Sequence, residues 1–595
     1  MTSDKAHFTK LPEPIFGGDS IRDRLNDEYL DGIENYIDEL HAHLLTIQKD
    51  ETDARGEFAE DLKKLASAKP GKKRTNDETQ YQQMFQSRMK KIKSRRKHFR
   101  QMLFDAFDER KKLIESMGLQ KREEEVLRRK LQKLVALDNE PVEKAPNLVD
   151  LFFWVYLIFQ VITCVIYWVA CDYSDDTNSP PNMGYTHRSA NWYTIWVHVA
   201  MLVLAGFSFF YTFMRKYAYS AISHTFLITV LAAQWTILHL IFWQNVDDGG
   251  DWARGDLTIL SLIDGYYGAT ACLITFGFLL GKASPLQLVF LTLFEVGFYA
   301  LNRFVVLMVL DAVDIGGAQT VHLFGTLFGL GVVGVQTLIG QLLQEDKERL
   351  KEFEKDKQSS YVSNIFTLLG TLIMFVMWPG WNAAYAPNGS QYRVVVNTFL
   401  AITSSCIMAF LTSRTIRAGK FLMFDIQRAT LAGGIAIGSA TPVVVSPGGA
   451  MVIGLVAGIV SVLGYAYVNP AIGYFKIHDH AGVLSLHGLS GLLAGVAGII
   501  STAIACQNDY VFGQPVEELF LRGGSQAGYQ VLCLIISIGI GLGGGIATGV
   551  VLFFLDMLAQ YVPQVAEPEK MLYSDQRHFH VPADFERTIV PSKVR

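Results

Sequence analysis

Cysteine is scarce and scattered. Only six occur in 595 residues, and no two form a CxxC pair. Cys164, Cys171, Cys272, Cys406, Cys506 and Cys533 lie far apart, in or beside apolar runs, which excludes a secreted disulfide scaffold. Residues 1–20 lack the apolar core of a signal peptide. There is no Walker loop, no GxSxG elbow and no clustered metal-ligand motif, so neither enzyme chemistry nor a cofactor or metal is expected. Charge is missing from most of the chain. Residues 1–147 hold 30 Lys/Arg and 28 Asp/Glu, while the remaining 448 residues carry 52 charged side chains. That is about 12 per cent, against roughly 25 per cent in soluble domains, and it rules out a single soluble globule.

What fills the uncharged stretch is apolar. A helix needs about 20 apolar residues to cross the hydrocarbon layer. Twelve such runs are legible, at 149–170, 191–213, 219–243, 257–281, 285–310, 318–343, 362–383, 395–413, 421–440, 449–468, 483–505 and 528–557. They are too long and too evenly apolar for membrane strands, and a backbone in lipid must satisfy its own hydrogen bonds. The expected fold is therefore an all-α membrane protein of about twelve transmembrane helices over residues 148–560. A charged helical cytosolic segment (1–147) precedes it and a cytosolic tail (561–595) comes after it. GxxxG pairs such as Gly325/Gly329, Gly454/Gly458 and Gly545/Gly549 point to closely packed helices.

Loop charge sets the orientation. With the N-terminus inside, the cytosolic connections hold Arg215 and Lys216, Lys282, the stretch 344–360, Arg414, Arg417 and Lys420, and Lys476. The opposite loops hold only Arg188, Arg254, Arg393 and Arg522. Both termini are then cytosolic. The sequon at Asn388 falls outside, as a possible N-glycosylation site.

Ionisable groups inside membrane spans are costly and mark function. Two segments stand out, DIGGAQTVHLFG and DHAGVLSLHGLSG. In each an Asp precedes a His by eight residues: Asp314 and His322, then Asp479 and His487. Eight residues is just over two helical turns, so each pair projects from a similar face. The first span enters from outside and the second from inside, which predicts an inverted repeat of five plus five helices with its site at their interface. Two facing imidazoles can share a proton and line a narrow pore. The carboxylates can fix helix N-termini or steady a passing cation. His198, His224 and His239 have no matched partner and read as interhelical packing.

Over about residues 149–560 the chain resembles the Rhesus (Rh) glycoprotein branch of the ammonium transporter superfamily. The stretches that carry the resemblance are ALNRFVVLMVLDAVDIGGAQTVHLFGTLFGL, GTLIMFVMWPGWNAAY, FDIQRATLAGGIAIG, KIHDHAGVLSLHGLSG and SLIDGYYGATACLITFGFLLGK. It implies a homotrimer at the plasma membrane, each protomer with its own pore for ammonium or ammonia, possible substrates extending to methylammonium or carbon dioxide. It implies that His322 and His487 are the twin pore histidines and that Asp314 and Asp479 are the pseudo-symmetric aspartates. Tyr267 and Trp381 take the places of two stacked phenylalanines, and Asn382 comes directly after the second. Two departures matter. Arg303 stands where the family carries a vestibule glutamate, and a cation there is expected to repel ammonium. Arg428 replaces an Asn. A gas channel for carbon dioxide, or an ammonium sensor using the N-terminal segment, are the alternative readings.

Residues 1–61 are net −10 and residues 62–147 net +12. Phe85, Ile92, Phe99, Ala106 and Leu113 recur every seventh residue, as along a coiled-coil seam. Eight basic residues and no acid in 88–100 suit anionic lipid, a solvated face or a cytosolic partner. The acidic and basic halves can also pair with each other. With a membrane block behind it, a nucleic-acid role is not expected.

Overall fold

The computed structural model describes residues 151–174, 187–250, 252–342, 357–386, 389–444, 446–508 and 520–561, with scattered positions in 42–108, 510–518 and 574–581. It forms two units, residues 1–145 and 146–595. Asn388, Phe85, Phe99 and Leu113 lie outside the described residues.

In the first unit the described residues are helical and lie in two stretches, within 42–57 and 84–108. Ile47 and Ala54 cluster with Met89 and Ile92. Arg88 pairs with Glu57 at 2.5 Å and Arg95 with Asp50 at 3.8 Å. Residue numbers rise along one stretch as they fall along the other, so the two run antiparallel, with acids of the first meeting bases of the second. These pairs are exposed and contribute at most about 1 kcal/mol each; the apolar seam does more.

The second unit is a helix bundle. Among the described residues, eleven helices are long and apolar enough to cross a membrane. In chain order they are α1 (Phe152–Ala170), α2 (Trp192–Phe213), α3 (Ala218–Asp247), α4 (Ile259–Leu279), α5 (Pro285–Val309), α6 (Ala318–Leu338), α7 (Tyr361–Ala383), α8 (Gln391–Ile416), α10 (Pro447–Tyr474), α11 (Leu484–Ala505) and α12 (Gly523–Leu555). The remaining apolar run, 421–440, forms a shorter helix α9 (Met423–Ala436) of 14 residues. At 1.5 Å per residue it spans about 21 Å, short of the roughly 30 Å hydrocarbon layer. From Asp425 onward it does not face lipid, since every residue to Val444 is buried in protein. Its ladder therefore need not cover the full thickness, because neighbouring helices, not lipid, surround the backbone beyond its last turn.

Local signals start the helices where the chain must turn. Thr258 and Ser261 bond reciprocally at the head of α4, Ser284 and Gln287 at α5, and Ser360 and Ser363 at α7, each orphan N–H finding a side-chain oxygen. Apolar side chains such as Val165, Ile365, Val376, Ile407 and Ile535 are exposed around the outside, as a lipid-facing belt requires. Inside, backbones approach closely: a Cβ on Gly454 would strike the Ala401 carbonyl, and one on Gly545 the Phe328 carbonyl.

The packing repeats. In the first half α3 lies against α4 and α5; in the second α8 lies against α9 and α10. Helices α2–α6 and α7–α11 are thus two copies of one five-helix pattern. Backbone detail repeats too, at the 165-residue offset that separates His322 from His487. Asp311 and Lys476 both have positive φ (51° and 60°), and Gly317 and Gly482 share φ 65°.

Candidate functional site

Both histidine helices begin abnormally. The segments Ala318–Leu323 and Leu484–Gly488 are π-helical, and they carry His322 and His487. A π turn widens the helix and re-aims its side chains, a device concentrated at functional sites. The left-handed Gly317 and Gly482 stand five residues before each histidine, a conformation a side chain would resist.

The turns are anchored by the aspartates. Asp314 accepts from the backbone N–H of Gln319 (3.0 Å) and Thr320 (2.8 Å), from the Thr320 hydroxyl (2.9 Å) and from the Ser439 hydroxyl (2.5 Å). Asp479 accepts from Val483 N–H and Leu484 N–H, both at 2.9 Å. Burial pushes both carboxyls above the usual carboxylate range, with these hydrogen bonds pulling the other way. Each aspartate caps the helix that carries its histidine, and Asp314 has four donors on its two oxygens.

The histidines meet. Their Nδ1 atoms are 3.1 Å apart, with ring centroids at 5.1 Å and planes 16° from parallel. They are 1 and 2 % exposed. One Nδ1 must carry the proton and the other must accept it. The two Nε2 atoms then differ, one a donor and one an acceptor, and His322 Nε2 meets no protein partner. Trp378 stacks beside His322 at 5.7 Å and Phe207 beside His487 at 6.0 Å, so aromatic faces flank the pair.

On the Asp314 side a pair of aromatic rings lies beside His322, the Trp381 ring 6.1 Å from it. Tyr267 and Trp381 lie face to face, centroids 3.9 Å apart and planes within 6°. The Tyr267 hydroxyl donates to the Trp381 carbonyl at 2.6 Å, and Trp381 Nε1 donates to Gly316 O at 2.9 Å. Asn382 donates to Gly434 O and Thr398 Oγ1, both at 3.0 Å, and its oxygen lies where a Cβ on Gly316 would stand.

Arg303 is not the free cation that the sequence suggested. Its guanidinium pairs with Asp264 at 2.5 Å and lies 5.0 Å over the Tyr385 ring, whose hydroxyl donates to the same carboxylate. The pair is locally neutral, so the expected repulsion of a cation is largely cancelled. Asp264 stands one turn before Tyr267 on α4, and Tyr385 packs edge-on against Tyr267 at 4.9 Å. Asp264 and Tyr385 escaped sequence reasoning. The available signal was a lone Asp in the apolar run SLIDGYYG. Glu295, 0 % exposed within α5, escaped as well; it accepts from Thr275 Oγ1 at 2.6 Å.

Among the other histidines, His224 bonds the Tyr217 hydroxyl at 3.3 Å and His239 the Trp235 carbonyl at 3.0 Å. Among the described residues no three metal-ligating side chains converge. The tail adds a tether: Asp575 accepts from Tyr219 N–H (2.9 Å) and Ser220 N–H (2.7 Å) at the head of α3.

The arrangement has counterparts in known proteins. Residues 185–576 match the model of the Ammonium Transporter Family. Rhesus-like glycoprotein B of Dictyostelium discoideum is 34% identical over 463 residues, covering 74% of this chain and 74% of the relative. Ammonium transporter Rh type B of Danio rerio is 30% identical over 451 residues, covering 72% of this chain and 93% of the relative. Among solved structures, Rh50 of Nitrosomonas europaea superposes with a TM-score of 0.54 at 27% identity, over 67% of this chain and 95% of that one.

Proposed function

The chain belongs to the ammonium transporter family, in its Rhesus-type branch, and from that premise we propose that it conducts ammonia along the track held by His322 and His487. The observation that carries this reading is the buried 3.1 Å contact between the two imidazoles. Ammonium reaches the mouth lined by Asp264, Arg303 and Tyr385. The faces of Tyr267 and Trp381 stabilise it by cation–π contact. It leaves its proton behind, and NH3 passes the histidines.

Shedding the proton is energetically accessible. A cation at the bilayer centre costs at least about 2.5–3.5 kcal/mol. Deprotonating an amine-like cation roughly two to three units above ambient pH costs about 3–4 kcal/mol at 1.36 per unit. The two costs are comparable, and the neutral species then crosses an apolar tube without its charge. Four donors, two of them backbone N–H groups, already engage the oxygens of Asp314. We assign it to holding the turn before α6, with the proton returning to the mouth. The family resemblance further suggests a homotrimer in the plasma membrane, and the basic loops suggest cytosolic termini.

Methylammonium uptake into proteoliposomes tests the reading. His322→Ala should cut uptake at least tenfold while the protein still melts cooperatively. Unchanged uptake removes the twin-histidine role. Stopped-flow pH transients with carbon dioxide in place of ammonium separate a gas channel from an ammonia channel.

A further inference from the structure

Arg428 is 1 % exposed within α9, and its Nη1 and Nη2 atoms are buried with no hydrogen-bond partner. Nε alone is engaged, donating to the Ala481 carbonyl at 2.5 Å. Three phenyl rings surround the guanidinium: Phe424 at 3.1 Å, and Phe210 and Phe213 at 5.0 Å each. A buried charge ordinarily has an acid beside it. This one has aromatic faces and a single carbonyl in direct contact, and the carboxylates of Asp479 and Asp425 act on it only at longer range.

Its place in the bundle is what matters. Ala481 lies between Asp479 and His487 in the chain, so Arg428 sits at the Asp479 end of the track. At the other end of the same segment, Ser439 bonds Asp314. Eleven residues of chain, about 16 Å if fully helical, therefore run from one carboxylate level to the other. Phe207, stacked on His487, and Phe210 and Phe213, around Arg428, are all residues of α2. The order from one mouth to the other is Tyr267 and Trp381, His322, His487, then Arg428 in its ring of phenylalanines. Lys282 also reaches this end and donates to the His478 carbonyl at 2.8 Å.

We infer that Arg428 is a specificity-determining residue: a fixed positive charge beyond His487 that bars cations from the exit while letting a neutral amine by. This rests on the conduction reading above and extends it to selectivity. At the outer mouth the charge is cancelled by direct pairing with Asp264; at the inner end the oxygens of Asp479 are taken by Val483 N–H and Leu484 N–H and make no hydrogen bond to the guanidinium, so rejection of cations falls there. Two like unit charges about 6 Å apart, at an effective dielectric of about 20, lower the occupancy of the second roughly 100-fold. The aromatic ring keeps the guanidinium in place through cation–π contact.

The experiment uses the full-length protein in proteoliposomes, driven by ammonium and methylammonium gradients. Internal pH is followed by stopped flow and charge movement on a solid-supported membrane. The wild type should alkalinise the lumen with little current. Arg428→Asn and Arg428→Gln should each raise the ammonium-carried current by about 100-fold, the inverse of that loss of occupancy, and Arg428→Lys should hold it near the wild-type level. Wild-type current already as large as that of Arg428→Asn overturns the inference, as does a well-folded Arg428→Asn with no added current. If the wild type moves nothing and Arg428→Asn moves both species, the side chain is a plug for every solute and its selective role is overturned. If neither the wild type nor any variant alkalinises the lumen, the conduction reading itself fails.

Discussion

Replacing Asp314 with alanine takes one acceptor away from four donors. The hydroxyls of Thr320 and Ser439 can rotate to other oxygens, but the backbone N–H groups of Gln319 and Thr320 cannot. Each buried, orphaned donor costs about 1–3 kcal/mol, so Asp314→Ala should lose about 2–6 kcal/mol. The fold supplies an internal control. Asp479 also holds two backbone N–H groups, those of Val483 and Leu484, so Asp479→Ala should lose a similar amount. Unfolding free energy from SDS titration in mixed micelles reads both, beside methylammonium uptake in liposomes. Uptake should fall in step with the fraction of folded protein. An Asp314→Ala protein of wild-type stability but no transport would refute the capping argument and make Asp314 a direct partner of the cation.

Arg303→Met should destabilise by stranding Asp264, and adding Asp264→Asn should recover much of the loss, with a coupling of about 0.5–3 kcal/mol in a double-mutant cycle. Gly316→Ala should cost about 1–3 kcal/mol and weaken uptake, because the new methyl displaces Asn382; crystallography or thermal melts would detect it. Asp575→Ala should cost about 0.5–2 kcal/mol by uncapping α3, seen as faster hydrogen exchange at Tyr219 and Ser220. Burial, with Lys357 adding to it, pushes the Lys282 ammonium down to about 7 from the ordinary 10.5. The unfolded chain then binds the extra proton between those values, so stability should rise with pH from about 7 toward 10.5. Lys282→Met should flatten that rise in melts taken across the range.

The twin Asp–His segments were legible because polar groups are rare in apolar runs and their spacing is fixed by helix geometry. The repeat was legible for the same reason, since one spacing appears twice in antiparallel spans. The length of α9 was not. Hydropathy counts apolar residues and cannot tell a lipid-facing span from a shorter helix wrapped in protein. The pairing of Arg303 with Asp264 was hidden because its partners lie on α4 and beyond α7, 39 and 82 residues away in the chain. The cage around Arg428 draws on α2, α9 and the loop before α11, which no local pattern announces. The π-helical starts were equally silent: the glycines that permit them look like ordinary packing glycines until φ is known.

The short helix α9 has a mechanical consequence. It is a strut whose two ends each grip a different half of the duplicated architecture, Arg428 at Ala481 and, past its last turn, Ser439 at Asp314. Inserting or deleting one residue between them would swing the two grips about 100° out of phase. One of them must then let go, so the two grips cannot be adjusted independently by changes of length. Changes along the strut are therefore expected to be tolerated only as swaps of side chain that keep its length.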